Sequence, residues 1–263
     1  MSGSSLNAAR RERELAESTD GRIVDLLVVG LGVTGAGVAL DAASRGLSIV
    51  AVDAHDLAFG TSRWSSKLVH GGLRYLAKAQ FGVAHESAVE RGILMTRTAP
   101  HLVHPLPMLL PLTPMVSPAQ GLMARAGFVA GDILRASAHT PRSVLPRPRK
   151  LSTTETLRMA RGIRRQDLRG GLLSWDGQLE DDARLVIGLA RTAAAYGARI
   201  LTRCRVQELH GDGAVVRDEV TGTTSTIKAR AVINATGVWA GELVPGIDPV
   251  SYTHLTLPTI YSV

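Results

Sequence analysis

A glycine-rich turn between two apolar segments constrains the fold of this chain more than any other feature. Residues 26–29 are Leu-Leu-Val-Val, residues 30–35 are Gly-Leu-Gly-Val-Thr-Gly, and residues 36–43 are small and mostly apolar. A second apolar segment, residues 47–52, leads directly into Asp53. Strand, glycine turn, helix, second strand and acid follow one another as in a dinucleotide-binding βαβ unit. This order predicts an α/β fold that contains parallel strands.

Each key residue of this motif has a predicted task in binding a dinucleotide. Gly30 permits the tight turn, Gly32 lets the backbone approach a pyrophosphate, and Gly35 lets the helix pack closely on the strand. The N-terminus of the helix offers free N–H groups and the positive end of its dipole to the phosphates. Asp53 follows Gly35 by 18 residues, close to the spacing of roughly 20 at which an acid binds a ribose hydroxyl. An acid at this position argues against a cofactor with a 2′-phosphate.

The distribution of charge points to an anionic partner. The chain has 263 residues and a net charge of +7, yet residues 125–169 alone hold 11 Lys and Arg against 3 Asp and Glu. This basic segment suits a phospholipid surface, a phosphate-bearing substrate or nucleic acid, and a solvated basic loop is the alternative. Aromatic residues make up only 4% of the chain, too few for a platform on which bases stack. We therefore expect no nucleic-acid partner.

Several kinds of site and location are disfavoured by the composition. The single cysteine, Cys204, leaves no disulfide framework and no cysteine-based metal site, which fits a reducing cytosol. His101 and His104 have no acidic neighbours in the sequence, so we expect structural roles for both and no metal site. The charged start of the chain lacks the apolar core of a signal peptide. Uncharged stretches are too short or too rich in proline for a membrane-spanning helix.

A second motif follows the βαβ unit. Residues 59–76 are dense in hydroxyls, glycines and cations and lack a regular periodicity, which is typical of a loop. Hydroxyls and backbone amides of such a loop can line a polar cofactor. Gly71 and Gly72 would let the backbone lie against a flat ring, where a Cβ would collide. Lys67 and Arg74 are suited to bind a phosphate. Arginine is the better suited of the two, because its planar guanidinium can donate two parallel hydrogen bonds.

Shorter patterns predict the remaining elements. Residues 1–22 are a polar arm without apparent chemistry, in which 6–16 have a helical pattern. Apolar spacing and proline positions predict further elements as follows: a helix over 83–98, an edge strand over 105–112, a helix over 121–136, a strand over 170–177 that ends in a turn, a helix that begins near 180, a strand over 199–206, a hairpin over 215–227 and a buried strand over 229–234. Asp181 and Asp182 are expected to be helix caps rather than catalysts.

With both motifs described, a family resemblance becomes specific. Residues 30–37 together with residues 61–75 resemble the FAD-dependent glycerol-3-phosphate dehydrogenases of the quinone-linked bacterial type. The run from Ser65 to Tyr75 is the most specific part, and the resemblance extends over residues 23–250. It implies an FAD-binding Rossmann-like domain of the glutathione-reductase type with an incomplete α+β substrate domain. It implies FAD rather than NAD.

The resemblance also implies roles for individual residues. In that family the Ser-Ser-Lys segment lies along the flavin, the Arg-Tyr pair faces the substrate, and an Ala-Thr-Gly signature passes close to the cofactor. The implied catalytic residues are His70, Arg74 and Tyr75, with Val206 beside the adenine through its backbone. Together with the glycine motif, the implied cofactor-binding residues are Gly30, Gly32, Gly35, Asp53, Thr61, Ser62, Ser65, Ser66, Lys67, Leu68, Gly71, Gly72, Val206, Ala235, Thr236 and Gly237.

The predicted domain organisation has five parts. They are a polar arm (1–22), the first part of the FAD-binding domain (23–98), a substrate-domain portion with the basic segment (99–176), the second part of the FAD-binding domain (177–250) and a tail (251–263). The tail does not match the family's pattern, and we expect it to be artefactual. The genuine protein is then expected to continue beyond this chain.

The implied reaction is the oxidation of sn-glycerol 3-phosphate to dihydroxyacetone phosphate by hydride transfer to flavin N5. Electrons would pass to membrane quinone, from a cytoplasmic enzyme bound peripherally to the inner face of the membrane. Neither the base for the C2 hydroxyl nor the oligomeric state is indicated. The alternatives are an oxidase that uses oxygen, another FAD-dependent amino- or hydroxy-acid oxidoreductase, which Arg74 disfavours, and a non-catalytic basic module that binds membrane or nucleic acid.

Overall fold

The computed structural model describes residues 3–243, which form two compact units. Unit 1 contains residues 3–65 and 182–243, and unit 2 contains residues 66–181. The predicted tail at 251–263 lies outside the described residues.

The elements are numbered along the chain. The helices are α1 (Ala8–Ser18), α2 (Val33–Ser44), α3 (Leu73–Ala77), α4 (Phe81–Ile93), α5 (Pro118–Ser137), α6 (Thr153–Met159), α7 (Asp182–Ala195) and α8 (Ala240–Leu243). The strands are β1 (Ile23–Val29), β2 (Ile49–Val52), β3 (Leu68–Val69), β4 (Val103–Pro111), β5 (Arg149–Leu151), β6 (Gly171–Leu179), β7 (Arg199–Leu201), β8 (Cys204–His210), β9 (Gly213–Asp218) and β10 (Thr224–Asn234). None of the helices described between residues 3 and 243 is long and apolar enough to cross a bilayer.

Unit 1 is built on a six-stranded sheet in the order β7-β2-β1-β10-β9-β8. The strands β7, β2, β1 and β10 are parallel, and β9 is antiparallel to both of its neighbours. Alternate residues of β1 face opposite sides, as a strand's period of two requires. Leu26 and Val28 share a buried cluster with alanines of α2 and α7, while Leu27 and Val29 belong to a second cluster. The predicted α/β fold is confirmed.

The strand β10 is longer than the sequence pattern predicts. A hairpin strand ending near residue 227 and a separate strand from residue 229 are in fact one continuous strand of 11 residues. Its first half pairs antiparallel with β9, and its second half pairs parallel with β1. One strand therefore serves both the hairpin and the central parallel sheet, and pairing on two sides overrides the local pattern.

Unit 2 is built around β6, which pairs antiparallel with β3, β4 and β5. Among the described strands, the proline-bearing β4 pairs only with β6, as the prediction of an edge strand requires. The predicted turn at residues 176–177 is wrong, because β6 continues through these residues to Leu179. Gly177 is needed there for space, since a Cβ would lie 3.0 Å from the backbone oxygen of Val69.

The unit boundaries differ from the predicted domain boundaries at 98/99 and 176/177. The division falls after residue 65 and before residue 182. Residues 66–98 belong with unit 2 because β3 pairs with β6 and α4 packs against α5. The helix predicted over 83–98 begins at Phe81 and ends in one π-helical turn, Leu94–Thr98. The helix predicted over 121–136 begins earlier, because Ser117 and Gln120 form a capping box around Pro118.

The N-terminal helix α1 confirms the helical pattern predicted over residues 6–16, and its side chains bind the rest of unit 1. Arg11 donates hydrogen bonds to the backbone oxygens of Thr202 and Arg203, at 2.6 and 3.0 Å, and forms an ion pair with Asp218. Glu14 is buried and accepts a hydrogen bond from the backbone N–H of Ile200. The charged residues of α1 thus bind backbone groups of unit 1, so the helix is part of that unit.

We predict that Arg11→Met lowers the free energy of unfolding by about 3 kcal/mol, since it leaves Asp218 buried without its cation. Burial is the largest influence on the pKa of Asp218 and raises it, but hydrogen bonds from Arg11, Thr221 and the Val220 N–H lower that pKa below its usual value overall. A carboxyl with a depressed folded pKa stabilises above its unfolded pKa, roughly 3.9, and that stability is lost as the pH falls.

The difference between parent and Arg11→Met should therefore shrink when urea unfolding is repeated at pH values approaching and below roughly 4. Arg13→Met is the matched control, because Arg13 is 62% exposed and its ion pair with Glu17 is long, at 3.9 Å. This substitution should change the free energy of unfolding by less than about 0.5 kcal/mol. Equal effects of the two substitutions would contradict the proposed docking of α1.

Candidate functional site

The glycine turn of unit 1 is closed by contacts that only glycine permits. Gly30 has a φ of +100°, and a Cβ there would lie 2.6 Å from the backbone oxygen of Ala235. A Cβ on Gly35 would lie 1.8 Å from the backbone oxygen of Gly30. The first turn of α2 therefore packs directly on Gly30, at the end of β1, and the backbone of Ala235 also packs against Gly30.

The N-terminus of α2 forms a cradle around Gly32. Gly32 is the N-cap residue of this helix, and Ser62 Oγ accepts a hydrogen bond of 2.9 Å from the backbone N–H of Val33. A Cβ on Gly32 would lie 2.9 Å from Ser62 Oγ and fill this cradle. A glycine and a hydroxyl at the N-terminus of a 12-residue helix fit the pyrophosphate of a dinucleotide.

Asp53 fastens the end of β2 to the glycine turn. One carboxylate oxygen accepts a hydrogen bond of 2.7 Å from the Leu31 N–H, and the other accepts one of 2.8 Å from the His55 N–H. Each carboxylate oxygen can accept a further bond. The ribose contact stays a prediction, and the structure adds a second role for Asp53 in shaping the turn.

The Ala235-Thr236-Gly237 segment reaches the glycine turn from the end of β10. The Ala235 N–H donates to the Val29 oxygen at 2.7 Å. Asn234 organises the segment, because its Oδ1 accepts bonds from the Thr236 N–H and hydroxyl at 3.2 and 2.6 Å. Sequence analysis missed Asn234, although an Asn two residues before a Thr is a signal for such an Asx turn.

The other predicted cofactor residues of unit 1 lie in the loop before Ser66 and in β8. The Ser65 N–H and hydroxyl donate to the Asp182 carboxylate at 3.0 and 2.8 Å, so Asp182 fastens this loop to α7. Thr61 and Ser62 lie in a short 3-10 turn. Val206 is buried in β8 at one end of the sheet order. Cofactor contacts of these residues stay predictions.

Contacts within unit 2 require glycine at positions 71 and 72. A Cβ on Gly71 would lie 2.1 Å from the guanidinium carbon of Arg91, and a Cβ on Gly72, whose φ is +83°, would lie 2.4 Å from the Ala84 oxygen. Lys67 has a φ of +57°, and its backbone oxygen accepts a bond from the Leu179 N–H. Packing within unit 2 thus accounts for both glycines, and a contact with a flavin ring stays a prediction.

Asp176 is the hub of a polar cluster in unit 2. Its Oδ2 lies 3.1 Å from Nδ1 of His70, and its Oδ1 accepts a bond of 2.6 Å from Arg91. Burial is the largest influence on the pKa of Asp176 and raises it, but the bonds from His70, Arg91 and the Gly177 N–H, with the charge of Arg91, lower that pKa overall. Sequence analysis missed Asp176 and Arg91, since neither has a local signal.

Arg74 and Tyr75 lie on the short helix α3, which begins directly after Gly72. Arg74 is exposed and Tyr75 is half-buried. Within the part of the chain that the structure describes, Arg74 has no acid within ion-pair distance. The other predicted residues of this loop, Ser66 and Leu68, are exposed and half-buried respectively.

Comparisons with known proteins agree with this geometry. Glycerol-3-phosphate dehydrogenase 1 of Mycobacterium tuberculosis is 55% identical over 252 residues, which are 95% of this chain and 49% of that protein. Glycerol-3-phosphate dehydrogenase of Mycobacterium leprae is 43% identical over 226 residues, 83% of this chain and 37% of that protein. The chain thus spans about half, or less, of the length of these curated relatives.

Solved structures show the same fold. The glycerol-3-phosphate dehydrogenase of Bacillus halodurans, solved in complex with FAD, matches with a TM-score of 0.61 and 31% identity, over 88% of this chain and 37% of that one. L-proline dehydrogenase of P. horikoshii matches with a TM-score of 0.57 and 14% identity, over 84% and 55%, which is a likeness of fold alone.

A family model described as FAD dependent oxidoreductase (DAO) matches residues 25–262, nearly the whole chain. This match includes the glycine turn, the Asp176 cluster and the Ala-Thr-Gly segment, and it confirms FAD as the predicted cofactor. The chain belongs to the FAD dependent oxidoreductase family.

Proposed function

We propose that this chain forms the FAD-binding part of an enzyme that oxidises glycerol 3-phosphate to dihydroxyacetone phosphate. The observation that carries the proposal is Arg74, an exposed guanidinium without an acidic partner among the described residues, close in sequence to His70 and Tyr75. The names of the mycobacterial relatives, at 55% and 43% identity, support the same substrate.

The residues of unit 1 hold the cofactor in this proposal. The N-terminus of α2 binds the pyrophosphate at Gly32 and Ser62, and Asp53 binds the ribose of the adenosine half. When bound, FAD supplies the acceptor for the hydride that leaves C2 of the substrate. The protein contributes binding, orientation and electrostatics.

Arg74 binds the phosphate of the substrate in this proposal. A phosphate ester carries close to two negative charges and accepts two parallel hydrogen bonds from one guanidinium. Tyr75 and His70 line the same site. An oxidoreductase for amino or hydroxy acids is the alternative, and similar folds occur among such proteins. The names of the relatives favour the phosphate ester, which Arg74, without an acidic partner among the described residues, is suited to bind.

The electron acceptor and the membrane are the second part of the proposal. Leu122, Val129 and Ile133 of α5 are 68%, 50% and 65% exposed, and their spacing of seven and four residues places them on one face of the helix. The basic segment supplies further exposed cations, Arg161, Arg164 and Arg165. An exposed apolar helix face and exposed cations in the same unit suit an anionic membrane surface. We therefore propose that the enzyme works at the inner face of the membrane and passes electrons to quinone.

We predict that Gly32→Val abolishes FAD retention, because the branched side chain fills the cradle beside Ser62. The flavin-to-protein absorbance ratio of the purified protein measures this effect. Gly37→Val is the matched control on the same helix, since a Cβ at Gly37 meets nothing within 4 Å. A folded Gly32→Val protein with the flavin content of Gly37→Val would contradict the cradle.

We predict that Arg74→Ala lowers kcat/KM for glycerol 3-phosphate by a factor equivalent to about 2–5 kcal/mol while FAD stays bound. Arg74→Lys keeps the charge but loses the fork, so it should also impair the reaction. Stopped-flow flavin reduction in a full-length protein that contains this chain measures both. Lys78→Ala is the control, an exposed cation at the end of the same helix. Reduction of Arg74→Ala at the parental rate and affinity would exclude the substrate assignment.

Binding to vesicles tests the membrane contact. Replacing Arg161, Arg164 and Arg165 with glutamine should weaken binding to anionic vesicles by about 3 kcal/mol at low salt, because each cation near the surface contributes about 1 kcal/mol. Arg147 and Arg149 are unsuitable targets, since they form ion pairs with Asp132 and Glu155.

The matched control replaces three exposed cations of unit 1 with glutamine, Arg203, Arg217 and Lys228, which like the targets have no ion-pair partner among the described residues, and it should retain most of the binding. Equal binding of the parent to neutral and anionic vesicles would argue against the electrostatic contact.

A further inference from the structure

The loop over residues 56–65 of unit 1 is fixed to the glycine turn by two hydrogen bonds. The Ala58 N–H donates to the Leu31 oxygen at 3.0 Å. Further along the loop, Ser62 Oγ accepts a bond of 2.9 Å from the Val33 N–H, in the first turn of α2. The middle of the loop therefore lies beside the N-terminus of α2, where we place the pyrophosphate of the cofactor.

The hydroxyl of Ser62 can still donate a hydrogen bond. A serine hydroxyl accepts and donates at the same time. Within the described chain, Ser62 Oγ accepts the bond from Val33 and donates to no other residue. Its hydrogen can therefore bind a phosphate oxygen, provided that the backbone holds the hydroxyl in the right direction.

The turn that carries Ser62 is too short to determine that direction by itself. Thr61–Arg63 is a single 3-10 turn, closed by one hydrogen bond of 3.0 Å from the Trp64 N–H to the Thr61 oxygen. Such turns have poorer hydrogen-bond geometry than an α-helix, and one bond has to fix several dihedral angles. Contacts outside the turn must therefore fix its position.

Asp182 supplies such a contact directly after the turn. This residue is buried, and its Oδ2 accepts hydrogen bonds from the Ser65 N–H at 3.0 Å and from the Ser65 hydroxyl at 2.8 Å. Its Oδ1 accepts a bond of 3.0 Å from the Ala183 N–H, at the start of α7. The predicted role as a helix cap therefore accounts for one oxygen, and the other oxygen binds the loop.

The helix α7 is a common support for the loop and for α2. Alanines of α7 and α2 share one buried cluster. Val186 of α7 belongs to a second buried cluster, together with Ala36 of α2 and Ala58 of the loop. A carboxylate at the start of α7 therefore fixes the end of the loop relative to the first turn of α2.

We propose that Asp182 is a positioning residue for the FAD pyrophosphate. Through Ser65 it fixes the turn that presents the Ser62 hydroxyl beside the N-terminus of α2. Asp182 does not bind the phosphate itself, since two anions in contact would repel each other. This inference rests on the pyrophosphate site proposed above for Gly32 and Ser62.

Asp182→Asn is the decisive substitution because it keeps the size of the side chain and removes one acceptor. Both carboxylate oxygens face donors, so the NH2 of asparagine meets a donor in either orientation. The rate constant for FAD release should rise about 10–100-fold, as expected when a hydrogen bond to a charged group is lost. The flavin that a full-length holoenzyme containing this chain retains after desalting at successive times measures this rate.

Asp25→Asn is the matched control, because unit 1 repeats the carboxylate–serine arrangement at the other end of its parallel strands. Asp25 Oδ2 accepts bonds from the Ser48 N–H at 2.9 Å and from the Ser48 hydroxyl at 2.6 Å. Asp25 lies near the start of β1, whereas the glycine turn follows the end of that strand. Ligands of such sheets bind at the carboxyl ends of the strands. Asp25→Asn should therefore change FAD release by less than about threefold.

A double substitution tests whether Asp182 acts through Ser65. Ser65→Ala removes the hydroxyl bond and keeps the N–H bond, so it should speed FAD release less than Asp182→Asn does. In an Asp182→Asn background, Ser65→Ala should have little further effect. Effects that multiply would show that the two residues act independently and would overturn the positioning role.

The pair of serine variants also gives a result if Asp182→Asn does not fold. Ser65→Ala leaves the Asp182 carboxylate in place, and Ser48→Ala removes the equivalent hydroxyl from Asp25. Ser65→Ala should release FAD faster than Ser48→Ala. Equal rates of release would overturn the proposal.

The 31P spectrum of the bound FAD gives a readout at the pyrophosphate itself. We expect Asp182→Asn and Ser62→Ala to shift the two pyrophosphate resonances of the holoenzyme. We expect Asp25→Asn and Arg11→Met to leave both resonances at their parental positions. Arg11→Met is included because it lowers stability elsewhere in unit 1. A purely structural Asp182 would behave as Arg11 does, with a lower unfolding temperature and unchanged resonances, and this result would overturn the proposal.

The outcomes separate this inference from the proposed pyrophosphate site and from the proposed substrate. None of the measurements requires turnover, so they do not depend on glycerol 3-phosphate. If Gly32→Val and Ser62→Ala both keep FAD as the parent does, the pyrophosphate site is overturned. If both lose FAD faster while Asp182→Asn behaves as Asp25→Asn, the role of Asp182 alone is overturned.

Discussion

The close approach of three backbone segments at Gly30, Gly35 and Ala235 is the constraint on which unit 1 depends. β1 is the strand that connects β2 and β10, and its end meets both the first turn of α2 and the segment after β10. Any Cβ on Gly30 or Gly35 would force these segments apart. The N-terminus of α2 is the proposed binding site for the pyrophosphate. The packing at Gly30 and Gly35 therefore also determines the position of that site.

A single carboxylate has the corresponding place in unit 2. Asp176 binds a buried arginine, two backbone N–H groups and one histidine. Its loss would leave Arg91 buried without its ion-pair partner, which costs about 3–5 kcal/mol. The same carboxylate therefore stabilises the loop that carries His70 and Gly71 as well as Arg91.

The proposed activity rests on the side chains of each unit and on the family match. Membership of the FAD dependent oxidoreductase family defines the cofactor, whereas folds at 14–20% identity include proteins for amino acids. The substrate therefore has to be argued from side chains. Arg74 has no acidic partner among the described residues, and it is the group proposed to bind the substrate's phosphate.

Local patterns in the sequence determined the βαβ unit, the proline-bearing edge strand β4, the helix α5 and the residues of both glycine motifs. These features depend on spacings of a few residues, which periodicity and backbone freedom encode directly. Tertiary structure alone decided that α1 docks on partners almost 200 residues away, that β10 is one strand, and that β6 continues through Gly177. It alone joined Arg91, Asp176 and His70. Such contacts depend on strand register and burial, and because their partners are far apart in sequence, no local pattern specifies them.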